Sequence, residues 1–142
     1  MIGVVVATHG FLGQALVDTA IEVVKKHGPL RVMGIVRGDS TSDYEKCLRA
    51  AVQEVQNDSG VIILTDMFGG TPSNIGMTLH EAGKVELLTG VNLPMLIKAL
   101  HLSVGNKRLE QVAAEVQVAA HRSIAVASKV LAREPAISGE GK

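Results

Sequence analysis

Two residues that could do nucleophilic chemistry follow directly on apolar runs of the sequence. His9 stands just after the run at residues 2–7 and before Gly10, and Asp66 stands just after the run at residues 61–65. An imidazole can act as a nucleophile, and a carboxylate beside it can accept a hydrogen bond from one ring nitrogen, which leaves the other nitrogen free to attack. The sequence therefore predicts an imidazole oriented by a carboxylate. The alternative for Asp66 is a turn or helix cap, and the two roles are compatible.

A glycine-rich segment after the second run has the composition of an anion-binding loop. Gly69 and Gly70 allow backbone amides to approach an oxyanion, and Thr71 precedes a proline that predicts the first turn of a helix. Free amides at a helix start attract anions, and Gly10 opens another helix. A double glycine before Thr-Pro is by itself more often a tight turn, but the loops together predict an anion site. Its candidate binding residues are Gly10, Gly69, Gly70, Thr71, Ser73 and Asn74.

Short β-branched runs alternate with longer segments of helical period, a pattern typical of a parallel sheet covered by helices. The first and third strands are apolar throughout, as expected at the centre of such a sheet. We predict an α/β fold with an open, mainly parallel four-stranded sheet in the order 2-1-3-4 and helices on both faces. Ligands bind at the carboxyl ends of such strands, so His9 and Asp66 should meet there. The predicted strands are residues 2–7, 31–36, 61–65 and 85–89, and the predicted helices are residues 13–26, about 43–57, 71–83, about 94–100 and 109–131.

Charge and hydropathy exclude several classes of protein. The 142 residues include 14 basic and 14 acidic side chains, which are scattered, so the chain offers no basic patch to a nucleic-acid backbone. The longest apolar runs are far shorter than the roughly 20 residues that span a bilayer. The chain opens on a strand-like run instead of a leader pattern. We therefore expect a cytoplasmic protein that binds no nucleic acid and does not itself insert into a membrane.

The single cysteine and the remaining histidines give no sign of a metal or cofactor site. Cys47 excludes an intrachain disulfide and a thiolate metal cage, and we expect it to pack in the core as a small hydrophobe. The chain lacks the Gly-x-x-x-x-Gly-Lys and Gly-x-Gly-x-x-Gly nucleotide fingerprints. We predict neither a metal nor a cofactor. The histidines without a partner at metal-ligand spacing are His27, His80, His101 and His121.

Three ordered motifs contain the candidate residues. They are Ala7-Thr8-His9-Gly10, then Asp66-Met67-Phe68-Gly69-Gly70-Thr71-Pro72-Ser73-Asn74, and then Gly90-Val91-Asn92-Leu93-Pro94-Met95-Leu96. Over residues 1–131 the chain thereby resembles the mannose-family IIA domain of the bacterial phosphoenolpyruvate-dependent sugar phosphotransferase system (PTS).

The resemblance implies a phosphocarrier for sugar uptake. His9 would accept a phosphoryl group from the carrier protein HPr and pass it to a IIB component, with Asp66 orienting the ring and Thr71 binding the phosphoryl group. Membrane contact would be indirect, through the IIC and IID components. We expect one such domain over residues 1–133. Residues 134–142 hold a proline, two glycines and no periodicity, so we expect a flexible tail there.

Three other functions fit parts of the pattern. The phosphotransfer subunit that serves dihydroxyacetone kinase also uses an early histidine, although the second and third motifs favour the mannose-type IIA. A regulatory domain that is phosphorylated on His9 without a transport role would have the same acceptor site. A serine hydrolase built from Ser73, His9 and Asp66 would lack the Gly-x-Ser-x-Gly elbow around its nucleophile.

The last third of the chain holds more apolar residues than one small sheet should bury. A stripe of such residues at helical spacing begins at Leu109 and continues to Leu131. The resemblance implies subunits that pair through a carboxyl-terminal element, so we expect a homodimer. The segment at residues 103–107 is then a hinge or an added edge strand of the sheet. The alternative is that the whole stripe packs on the sheet of its own chain.

Overall fold

The computed structural model describes residues 1–133, which form an α/β fold of four strands and six helices. Each strand leads into at least one helix, because a parallel strand pair needs a long crossover connection. The elements follow in the order β1 (Gly3–His9), α1 (Leu12–Val23), β2 (Leu30–Ile35), α2 (Thr41–Val55), β3 (Val61–Thr65), α3 (Thr71–Met77), β4 (Val85–Leu88), α4 (Leu93–Leu102), α5 (Leu109–Arg122) and α6 (Ala127–Ala132).

The four strands form one parallel sheet in the order β2-β1-β3-β4, which confirms the predicted order. On one side of β1, His9 lies opposite Ile35 of β2, and on the other side Ala7 lies opposite Thr65 of β3. The carboxyl ends of β1 and β3 are therefore neighbours. The residues that follow these two strands meet at the same edge of the sheet.

Successive side chains of the central strands point to opposite faces of the sheet, so the core has one part on each face. Val4 and Val6 of β1 pack with residues of α1, α4 and α5, whereas Val5 and Ala7 pack with residues of α2 and α3. All four side chains are fully buried. A register slip of one residue would exchange the two faces, so the packing of both faces fixes the register. The prediction of helices on both faces is confirmed.

The prediction of one long helix at residues 109–131 was wrong. α5 ends at Arg122 and α6 begins at Ala127. At the break, the Ser123 hydroxyl donates to the Ala120 carbonyl at 2.6 Å, and such a local bond competes with the helical backbone bond. α6 has no buried residue. The first half of the apolar stripe packs on the sheet of its own chain through Leu109, Val112, Val116 and Ala120.

Three smaller expectations also differ from the structure. α3 was expected to end near residue 83 but ends at Met77. Just after this end, the Thr78 hydroxyl donates to the Ile75 carbonyl at 2.6 Å. Cys47 is exposed, because α2 turns the face that carries Leu48 toward the sheet and Cys47 lies beside that face. Residues 103–107 connect α4 to α5 and add no strand to the sheet of the described chain, so only the hinge stays a prediction for this segment.

None of the helices in residues 1–133 has the length and apolar character needed to cross a membrane. The predicted flexible tail, residues 134–142, lies outside the described residues.

Candidate functional site

His9 and Asp66 form a hydrogen-bonded pair at the carboxyl edge of the sheet. Nδ1 of the His9 ring lies 2.9 Å from Oδ2 of Asp66, and the same oxygen accepts the His9 backbone N–H at 2.9 Å. A carboxylate can only accept hydrogen bonds, so the Nδ1 atom carries the proton, and in the neutral ring Nε2 keeps its lone pair. The His9 side chain is 46% exposed and that of Asp66 is 11% exposed. The pair therefore presents a nucleophilic nitrogen to solvent and keeps its carboxylate covered.

The environment of Asp66 favours its charged form. Burial of the carboxyl raises its pKa, but the hydrogen bonds from the His9 backbone and ring, together with the charge of His9, outweigh burial. The pKa of Asp66 thus lies below its ordinary value. The carboxylate is ionised at neutral pH, as a group that orients an imidazole through Nδ1 must be.

Gly70 lies against the imidazole ring. A Cβ added at position 70 would lie 2.7 Å from Cε1 and 3.3 Å from Nε2 of His9. Real Cβ atoms do not approach other atoms as closely as 2.7 Å, so only glycine leaves the ring in this position. A Cβ added at position 69 would meet no atom within 4 Å, but Gly69 has a φ of +88°, a conformation that L side chains rarely adopt. The two glycines therefore have different roles, one steric and one conformational.

The turn between β1 and α1 is held by hydrogen bonds on both sides of His9. The buried Thr8 hydroxyl accepts the Gly13 amide at 2.8 Å and donates to the His9 carbonyl at 3.1 Å. The Gly10 amide donates to the Ile35 carbonyl at 2.7 Å, and Gly10 has a φ of +55°. Gly10 thus shapes the turn, and its N–H is already used by β2. Gly10 was predicted to bind an anion, but its backbone amide is not free to do so.

The start of α3 divides the other candidate residues into two groups. The Ser73 hydroxyl is fully buried, where it shares a 2.6 Å bond with the Thr65 hydroxyl and donates to the Met67 carbonyl. The backbone amide of Asn74 donates to the Gly70 carbonyl at 2.9 Å, so this N–H already has a hydrogen-bond partner within the chain. Thr71 is half-buried at the first turn of α3. The geometry leaves Gly70 beside the His9 ring, with Thr71 next to it in the chain, and assigns Ser73 to the internal bonding of the loop.

The buried position of Ser73 excludes its use as a hydrolytic nucleophile. Its hydroxyl is bonded to Thr65 and to the Met67 carbonyl, and the His9 ring is bonded through Nδ1 to Asp66. A Ser-His-Asp hydrolase needs the serine hydroxyl on the imidazole.

The loop after β4 closes the same edge of the sheet. The Val91 amide donates to the Thr65 carbonyl at 2.9 Å, which ties this loop to the end of β3. The Asn92 side chain accepts the Met95 amide at 2.9 Å and is the N-cap of α4. Asn92 therefore has a structural role here, and its side chain contributes no hydrogen bond to the His9–Asp66 pair.

Exposed apolar side chains lie in the segments that follow β1 and β3, which also contain Gly10 and Gly70. Phe11 is 81% exposed at the start of α1, and Phe68 is 73% exposed in the loop after β3. Met67 and Leu12 are exposed beside them. Large apolar groups in solvent around a polar centre are typical of a surface that another protein covers.

Among residues 1–133, no three His, Cys, Asp or Glu side chains are grouped so that they could hold a metal ion.

Comparison with known proteins decides the family. A family model, EIIA-man, described as PTS system fructose IIA component, matches residues 3–117. The chain belongs to the EIIA-man family. Membership implies a phosphotransferase role in general terms.

Two curated relatives of the EIIA-man chain are similar over most of its length. It is 27% identical over 103 residues to the PTS system fructose-specific EIIA component of Bacillus subtilis, covering 72% of this chain and 70% of that protein. It is 34% identical over 100 residues to the putative phosphotransferase enzyme IIA component YadI of Escherichia coli, covering 68% of this chain and 66% of that protein.

Solved structures of EIIA proteins share the fold. The PTS component EIIA from Streptococcus agalactiae superposes with a TM-score of 0.80 at 23% identity, covering 91% of this chain and 99% of that one. A PTS IIA protein associated with the fucose utilization operon of Streptococcus pneumoniae gives a TM-score of 0.77 at 26% identity, covering 91% and 95%. The doubly covered α/β sheet of this chain is thus the fold of PTS IIA proteins.

Two residues of this EIIA-man site were missed from the sequence. A Cβ at position 34 of β2 would collide with the Gly10 carbonyl oxygen, so Gly34 allows the turn after His9 to cross the sheet edge. A glycine inside a strand pattern often marks such a close backbone approach, and this signal was present in the sequence. Tyr44 is buried on α2 with an unpaired hydroxyl. No sequence signal distinguishes it from an ordinary core tyrosine.

Proposed function

We propose that this chain is a phosphohistidine phosphocarrier of a sugar PTS, which accepts a phosphoryl group from HPr on Nε2 of His9 and passes it to a IIB component. The observation that carries the proposal is the 2.9 Å bond between Nδ1 of His9 and Oδ2 of Asp66. This bond leaves the lone pair on Nε2, in a side chain that is 46% exposed. A donor histidine on another protein can reach such a nitrogen.

The transfer step follows from this geometry. The Nε2 lone pair attacks phosphorus while the N–P bond of the donor phosphohistidine breaks, and the electron pair of that bond stays on the donor ring. The His9 ring gains positive charge as the new N–P bond forms. The Asp66 carboxylate, bonded to the Nδ1–H, stabilises that charge. Donation to a IIB component is the same step in reverse with a different partner, so the site serves both directions.

The proposed phosphoryl site is the space beside Nε2 at the start of α3. The Gly70 backbone lies against the ring there, and Thr71 follows it with a half-buried side chain. We place the phosphoryl oxygens near the Thr71 hydroxyl and the amides of this turn, since amides at a helix start attract anions. The backbone amides of Gly10 and Asn74 are excluded from this role because both already donate hydrogen bonds to carbonyl groups of the chain.

The surroundings of His9 support protein partners rather than a small substrate. Phe11, Met67 and Phe68 are all exposed in the segments that follow β1 and β3, and a protein carrier such as HPr would cover them on docking. We propose that the phosphocarrier unit is residues 1–133 and that it acts in the cytoplasm, meeting the membrane only through the IIC and IID components.

We also propose that the protein is a homodimer. α5 buries its apolar stripe on its own sheet, but the segment after it leaves large apolar side chains in solvent. The exposed fractions are 75% for Ile124, 57% for Val126, 49% for Val130 and 69% for Leu131. A second copy of the chain that covered this surface would remove it from water.

Mass spectrometry tests the phosphocarrier. The protein is incubated with phosphoenolpyruvate, enzyme I and HPr, and the expected result is an acid-labile gain of about 80 Da, the mass of one phosphoryl group. His9→Gln should abolish the gain, whereas His101→Gln, on the exposed surface of α4, should keep it. Labelling of His9→Gln would overturn the assignment. Loss of the label on addition of a IIB component would distinguish a carrier from a regulatory acceptor.

A further inference from the structure

Two buried side-chain oxygens near the site have no hydrogen-bond partner. Among residues 1–133, the Tyr44 hydroxyl and the Oδ1 atom of Asp66 are the buried side-chain oxygens left unpaired. A buried polar atom without a partner costs free energy, and such groups are rare in folded proteins. The other carboxylate oxygen of Asp66 takes both hydrogen bonds from His9. One carboxylate oxygen is thus fully used and the other is free.

The fold brings the two unpaired atoms to the same end of the sheet. Tyr44 is in the first turns of α2, which starts at the carboxyl edge where His9 and Asp66 meet. Its side chain is 5% exposed and belongs to the same core cluster as Ala7 of β1 and Ile75 of α3. Burial, and after it the negative charge of Asp66, raises the pKa of the Tyr44 phenol. The phenol is therefore a protonated donor that feels the Asp66 charge.

We propose that Tyr44 is a positioning residue for the His9–Asp66 pair, and that its hydroxyl donates to Oδ1 of Asp66 through one buried water. Such a water would accept from the phenol and donate to the carboxylate, which satisfies both unpaired atoms. Two bonded oxygens fix the rotation of the carboxylate, so Oδ2 stays directed at the His9 backbone N–H and at Nδ1. Without the second anchor the carboxylate could turn and release the ring.

NMR tests this bond without any phosphoryl transfer. Tyr44→Phe removes only the hydroxyl and keeps the buried ring. We expect the titration of the Asp66 carboxyl carbon to move to higher pH in this variant, because the carboxylate loses a hydrogen bond to its charged form. The ¹⁵N shifts of His9 should show a smaller fraction of the Nδ1–H tautomer. Unchanged Asp66 titration and unchanged His9 tautomer in Tyr44→Phe would overturn the proposal.

A matched control separates positioning from packing. Leu48→Val removes one methylene from the fully buried residue one turn further along α2, in the same cluster, and no polar atom. It should lower stability and leave the Asp66 titration and the His9 tautomer as in the wild type. If Leu48→Val moved them as much as Tyr44→Phe does, the effect would be packing and the proposal would fail.

The consequence for transfer rests on the proposed phosphocarrier function. Single-turnover transfer from phosphorylated HPr should slow about tenfold in Tyr44→Phe, the scale of one lost hydrogen bond to a charged group. The variant should have no further effect in an Asp66→Asn background, since the two residues act through one bond. An equal slowing in both backgrounds would overturn the proposal. If HPr did not phosphorylate the protein but the NMR changes appeared, the proposed function as a phosphocarrier would be wrong. The hydrogen bond between Tyr44 and Asp66 would still be supported.

Discussion

The Oδ2 atom of Asp66 accepts two hydrogen bonds from the same residue, the backbone N–H and the ring Nδ1–H of His9, each at 2.9 Å. The backbone bond fixes where His9 leaves β1, and the ring bond fixes which way the imidazole turns. The position of His9 and the orientation of its ring thus both depend on one oxygen atom. Asp66 therefore caps the turn and orients the ring at the same time, which makes the two roles expected from the sequence a single interaction.

Replacement of Asp66 separates these roles by rate and stability. Asp66→Asn should slow transfer from phosphorylated HPr by roughly a hundredfold or more, because the amide cannot balance the charge on the His9 ring. The free energy of unfolding should fall by about 1–3 kcal/mol, the value of a hydrogen bond to a charged group. Rapid-quench kinetics and urea unfolding measure the two effects. Asp18→Asn, on the exposed face of α1, is the control. Wild-type rates in Asp66→Asn would leave Asp66 as a cap alone.

The lowered pKa of Asp66 predicts a pH-dependent contribution to stability. The folded-state pKa lies below the unfolded value of about 3.9 for aspartate, so the unfolded chain binds the proton first as the pH falls. The stabilisation from this carboxylate is fully present above about pH 4 and is lost as the pH drops through the folded-state pKa. The difference in unfolding free energy between wild type and Asp66→Asn should therefore shrink as the pH falls below about 4. A difference that stays constant over this range would contradict the assignment.

Adjacent glycines of the loop after β3 should respond in opposite ways to alanine. In Gly70→Ala the new methyl would overlap the His9 ring, but the φ of −83° suits alanine, so the ring should be displaced and transfer should slow about tenfold or more with little loss of stability. In Gly69→Ala the space is open but the φ of +88° is strained, which should cost about 1–2 kcal/mol of stability with a smaller effect on rate. Transfer kinetics and thermal unfolding of the pair decide this. Equal effects of the two variants would contradict it.

The sequence predicted that His9 and Asp66 meet, but it did not predict the residues packed around them. The strand order followed from the apolar runs that contain Val5 and Ile63, since a strand buried on both faces has few polar residues. That order brought His9 and Asp66 together. The collision that Gly34 avoids involves the Gly10 carbonyl, and the unpaired Tyr44 hydroxyl lies on another helix. Both features depend on tertiary approach, which periodicity along the chain does not encode.

The C-terminal helices were also misjudged for a physical reason. Helical spacing continues through residue 131, yet a single serine hydroxyl at position 123 bonds back to Ala120 and the helix ends. Hydrophobic periodicity reports which side chains could share a face. It does not report whether the backbone stays helical between them. The exposed apolar residues after the break are thus a separate surface and not the end of the α5 stripe.

This surface predicts the oligomeric state. Ile124 and Leu131 are 75% and 69% exposed, and we expect a second copy of the chain to cover them. Sedimentation equilibrium at micromolar concentration should give a mass near twice the 14.9 kDa of the chain. Leu131→Glu should shift the protein toward the monomer, because a carboxylate would be buried in an apolar interface. Its fold should be unchanged, since the side chain contacts little in a single chain. Ile21→Glu, on the exposed side of α1, should remain dimeric. A single species near 14.9 kDa for the wild type would rule out the dimer.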